Sequence, residues 1–90
     1  MQFLNMVVYI DDISRIESGS ILSVACSDEA SNRFVLCLDM VYMGIDWEGE
    51  FEDELYKDIQ KAYDDCISDY GKIDVDYIKR LVENHYYGMI

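Results

Sequence analysis

Asp46, Glu48 and Glu50 alternate as the first, third and fifth ligands of a calcium-binding loop do. The sixth position falls on Phe51, where that loop turns on glycine, and the twelfth on Lys57, where it needs a bidentate acid. The EF-hand reading therefore fails, and a loose divalent-cation site among these acids is the lesser alternative. The thiols of Cys26, Cys37 and Cys66 and the single imidazole of His85 have the spacing of no zinc finger or ribbon. No Cys–His pair can be argued from spacing, and the helical pattern described below puts His85 on an apolar stripe, as a packed residue. The chain contains no phosphate-cradling glycine loop, no G-x-S-x-G and no H-E-x-x-H. The expectation is a protein that is not an enzyme and needs no metal or cofactor.

Charge is the strongest remaining signal. Nineteen Asp and Glu oppose seven Lys and Arg, a formal net charge of -12. A small domain stays soluble with a net charge of roughly 2 to 8, and any excess adds self-repulsion. Such a surface is poorly suited to neutralise phosphates, which argues against direct binding to nucleic acid or an anionic membrane and favours a basic partner. Between Asp46 and Asp76 stand twelve acids and only Lys57, Lys61 and Lys72, a local charge of -9. On a helical wheel, Glu54, Asp58, Asp65 and Asp69 line one border of an apolar face, interrupted by Lys61, while Asp53 and Asp64 lie further out. Like charges four residues apart, such as Glu54 and Asp58, repel by a few tenths of a kcal/mol on an isolated helix. The plainer reading of such a run is a solvated helix face. The additional acids around Trp47 favour a presented surface.

Aromatic residues add area to that surface. The chain has eight tyrosines, and Tyr56, Tyr63 and Tyr70 recur every seven residues on the border opposite the acidic row. Tyr and Trp make interface anchors at low entropic cost, although rings at this spacing also close the edge of a small core. Trp47, between Asp46 and Glu48, is the best single anchor.

The elements that must position these groups follow from periodicity. Residues 3–10 alternate as a strand, with Leu4, Met6, Val8 and Ile10 on one face. Residues 11–19 read as a turn ended by Gly19. Residues 21–27 and 34–43 form two further strands around a polar hairpin loop, the last with Phe34, Leu36, Leu38, Met40 and Tyr42 on one face. The period then changes: Phe51, Leu55, Ile59, Ala62, Cys66 and Tyr70 predict a helix stopped by Gly71. Asp74 caps a second helix, with Ile73 and Ile78 as its hydrophobic staple and Ile78, Leu81, Val82 and His85 as its buried stripe. The fold class is α+β: a three-stranded antiparallel meander followed by two helices on one face, residues 1–90 forming a single domain.

Segment 1–10 lacks the basic start of a secretory signal, and no apolar run approaches the roughly 20 residues of a membrane span. Three cysteines without C-x-x-C spacing suit a reducing, cytoplasmic setting, with buried thiols favoured over a Cys26–Cys37 disulfide across the hairpin. The functional expectation is an inhibitor that occupies the nucleic-acid-binding surface of a basic target, as a monomer or small homo-oligomer. Its contacts would be Asp46, Trp47, Glu48, Glu50, Glu52, Asp53, Glu54, Tyr56, Asp58, Asp65 and Asp69. Small acidic phage proteins that block CRISPR or restriction enzymes act this way as a class; the analogy rests on charge and size. An immunity protein against a basic nuclease toxin, or an acidic adaptor subunit, are the alternatives.

Overall fold

The computed structural model describes residues 6–44 and 52–87. Three strands, β1 (Val8–Ile16), β2 (Ile21–Asp28) and β3 (Arg33–Asp39), form an antiparallel sheet in chain order. A single helical turn, α1 (Met40–Met43), follows, and then α2 (Glu52–Tyr70) and α3 (Val75–Tyr87). The predicted meander with two helices on one face is the observed architecture.

β1 runs straight through the segment expected to turn. Its pairing passes from Ile10 opposite Cys26 to Asp12 opposite Ala25, so Asp11 is the extra residue of a β-bulge. The bulge resets the alternation: Ile10 and Ile13, three apart, both pack against the core. The chain reverses later, at Glu17–Gly19, where three successive residues have positive φ (52°, 58° and 88°). Only Gly19 adopts that region without a steric cost.

β3 is shorter than its apolar pattern. Asp39 Oδ1 accepts from the Tyr42 N–H at 3.0 Å, which starts α1, and Gly44 ends it at φ 69°. Met40 stays buried, but Tyr42 is turned outward instead of joining the strand's inner face. Met6 is likewise exposed, ahead of the first strand. Residues 3–5, also assigned to that strand, lie outside the described residues.

The core lies between the sheet and the helices. Leu22, Val24, Phe34, Leu36 and Leu38 face Leu55, Ile59, Cys66, Ile78 and Val82 in one continuous cluster. Each helix also supplies a polar group to one outer strand. Gln60 Oε1 accepts from the Val8 N–H at 2.8 Å and its Nε2 donates to the Met6 carbonyl. On the opposite edge, buried Glu83 accepts from the Asp39 N–H at 2.6 Å. These bonds satisfy backbone groups that an edge strand leaves open. Asp74 caps α3 as expected, accepting from the Tyr77 N–H at 3.1 Å, and Gly71 follows α2 at φ 70°.

Candidate partner-binding surface

α2 presents three kinds of residue in turn around its axis. Leu55, Ile59, Ala62, Tyr63 and Cys66 are buried. Gln60 reaches the β1 edge, as above. The border that carries Asp58 and Asp69 turns toward α3. Asp69 accepts from the Tyr77 hydroxyl at 2.7 Å, and Asp58 accepts from the Tyr86 hydroxyl and stands 3.5 Å from His85 Nε2. The two carboxylates lie three turns apart on α2 and meet two tyrosines on the antiparallel α3. Half of the expected acidic row thus binds the helical hairpin together.

Glu52, Asp53, Glu54 and Asp65 remain exposed on α2. The first three occupy its first turn, where negative charge also complements the helix dipole. Tyr56 is half-buried on the same helix. Asp46, Trp47, Glu48 and Glu50 lie outside the described residues. Tertiary structure adds two acids that the helical wheel missed. The β1 bulge brings Asp11 and Asp12, both exposed, to a small cleft that they line with Ile10, Ile13 and Glu52. The signal was present in the sequence as Asp11-Asp12 between apolar residues, but it read as a turn.

Of the sixteen described carboxylates, eight accept hydrogen bonds within the fold: Asp28, Glu29, Asp39, Asp58, Asp64, Asp69, Asp74 and Glu83. Only Glu83 also approaches a lysine, Lys79, at 3.8 Å. Among the described residues no ion pair reaches Asp11, Asp12, Glu52, Asp53, Glu54 or Asp65.

Asp28 shows what a structural carboxylate looks like here. It is buried at the β2–β3 turn and accepts from the Ala30 and Asn32 N–H groups at 2.9 Å, the Asn32 amide at 3.0 Å and the Tyr63 hydroxyl at 2.9 Å. Burial pushes its carboxyl up, but the bonds from Asn32, Tyr63 and Ala30 together outweigh this and hold it below the ordinary value. The reciprocal effect, led by burial and then by the Asp28 bond, raises the Tyr63 phenol to about 12.

His85 is exposed beside Asp58, with Tyr86 taking the buried place expected for it. A helix that buries Ile78, Val82 and Tyr86 leaves position 85 to one side. Cys26 is buried and Cys37 exposed on opposite sheet faces, opposite Phe34 and Ser23 respectively, so they do not face each other. Burial, with Asp11 nearby, pushes the Cys26 thiol up to about 12, which makes it a poor nucleophile. Cys66 is used structurally: its Sγ donates to the Lys72 carbonyl and accepts from the Asp74 N–H, both at 3.2 Å. Among the described residues no three His, Cys, Asp or Glu side chains could hold a metal ion, and no helix is long and apolar enough to cross a membrane. Compared with protein-family models, curated proteins and solved structures, the chain matches none.

Proposed function

We propose that this chain is a non-enzymatic inhibitor whose acidic face occupies a basic, nucleic-acid-binding surface on another protein. The supporting observation is the division of its carboxylates. Those with structural work accept hydrogen bonds inside the fold, while Glu52, Asp53, Glu54 and Asp65 are exposed and joined at one end by Asp11 and Asp12. Such unneutralised charge steers a cationic partner and holds it by a Coulomb attraction that salt screens. The contact set is accordingly narrower on α2 than the helical wheel implied, because Asp58 and Asp69 belong to the helix pair. The three cysteines are free thiols, which supports a reducing, cytoplasmic setting.

The test is affinity capture from the native host at low and high salt, followed by the variant E52K/D53K/E54K/D65K. The expected capture is a basic nucleic-acid-processing protein, released by salt, displaced by nucleic acid and lost with the variant. Undiminished binding by a folded variant excludes the acidic face as the contact.

A further inference from the structure

Among the described residues, no second layer covers the sheet face turned away from the helices. Tyr9, Ile16 and Val35 are 43–48% exposed there, and Cys37 is exposed beside them. On a chain of net charge -12, the paired outward strand positions carry Asp12, Arg33 and Asp39 as charged side chains, with the bulge residue Asp11 beside them. The face is also uneven along the strands. At one end the small residues Ala25 and Ser27 floor a hollow bounded by Tyr9, Arg33 and Val35, with Asp11 and Glu29 on its rim. At the other end stand Ile16, Ile21 and Asp39, in register with one another.

We propose that this face is a two-fold contact between two copies of the chain, with the axis running across the strands. Such an axis lays each strand over its own counterpart and reverses the residue rows. The rows then match: Ser27 lies opposite Ile21 of the second copy, Tyr9 opposite Ile16, Val35 opposite Cys37, and Arg33 opposite Asp39. Each hollow receives an isoleucine pair, and the one outward cation meets an outward carboxylate at both ends. Sheets stack face to face at about 30°, so this register is compatible with ordinary sandwich packing. A face three strands wide and seven residues long spans roughly 14 by 23 Å. That is a footprint of roughly 320 Å² per copy, smaller than a standard interface, so the contact is a weak, transient one that dissociates at about 100 µM to 1 mM. The helical layers, with Glu52, Asp53, Glu54 and Asp65 exposed, point outward on both sides, while Asp11 and Asp12 stand at the β1 edge of the contact.

Sedimentation velocity from about 1 µM to about 1 mM reads this directly. The expected result is a monomer–dimer equilibrium that strengthens with added salt, since screening reduces repulsion between copies; partner binding through the acidic face weakens with salt. Two outward-facing substitutions, Ala25→Arg and Arg33→Glu, should each raise the dissociation constant about tenfold or more, whereas Glu52→Lys on the helical layer should not raise it. Alkylation of Cys37, opposite Val35 of the second copy, should slow as wild-type concentration rises. A chain that stays monomeric throughout the range overturns the proposal. So does a dimer that persists in folded A25R and R33E, or a dimer in which Cys37 reacts at the monomer's rate.

Discussion

A buried carboxylate at a turn is costly unless every lone pair is used, and Asp28 uses four donors. Replacing it with Ala leaves those donors without their acceptor and should lower stability by about 3 kcal/mol in urea denaturation. Its carboxyl is depressed in the fold, so its contribution is present above the unfolded value near 3.8 and is lost as pH falls through the lower folded value. Wild type should therefore lose stability on acidification in a way that D28N does not. The tyrosines give the opposite sign. Tyr63 and Tyr77 are raised to about 12, the first chiefly by burial and the second chiefly by the Asp69 hydrogen bond. Their contribution is complete below the unfolded value of about 10 and disappears as pH rises through the folded values. In an ultraviolet titration, Y63F should lack one of the phenols that ionise last.

At the scale of elements, the α2–α3 pair is held by packing and by two tyrosine–carboxylate bonds of unequal burial. Tyr86→Phe removes the more buried one and should cost about 1–2 kcal/mol. Tyr77→Phe acts at an exposed bond and should cost less, the contrast being measured in the same denaturation series. Gly71 has open space around a hypothetical Cβ, so Gly71→Ala is penalised by its φ of 70° alone, about 1 kcal/mol. In the β1–β2 connection, Ser18 sits at φ 58° without being glycine, and Ser18→Gly should raise stability by a similar amount. The bulge offers a different test. Deleting Asp11 leaves Ile10, Asp12 and Ile13 in strict alternation, so a folded protein with an unbroken β1–β2 ladder is expected by circular dichroism and amide exchange.

For the whole molecule, the excess negative charge opposes folding. Raising sodium chloride from about 20 mM to about 500 mM shortens the Debye length well below the size of the domain and should raise the melting temperature. Charge reversal on α2 has two opposing effects. Lys at Glu52 or Glu54 loses a favourable interaction with the helix dipole, worth about 0.3–1 kcal/mol, while relieving the general repulsion. Asp65→Lys lies away from that first turn, so it should raise stability and weaken partner binding together. Thermal melts run beside the capture experiment separate the two effects.

The order of elements was legible in the sequence because period-two and period-3.6 patterns are local properties, as were the Asp74 cap and the Gly71 stop. The net charge was fixed there too. Pairing across the chain decided the rest. A bulge has no period, so Asp11 and Asp12 read as a turn until β2 supplied the register. A wheel drawn for α2 alone could not show that Tyr77 and Tyr86 claim Asp69 and Asp58 while Glu54 and Asp65 stay free. Nor could it place His85 outside and Tyr86 inside, since α3 can orient only against its neighbours. Which carboxylates serve the fold and which face outward is a property of contacts distant in sequence, and only tertiary packing creates those.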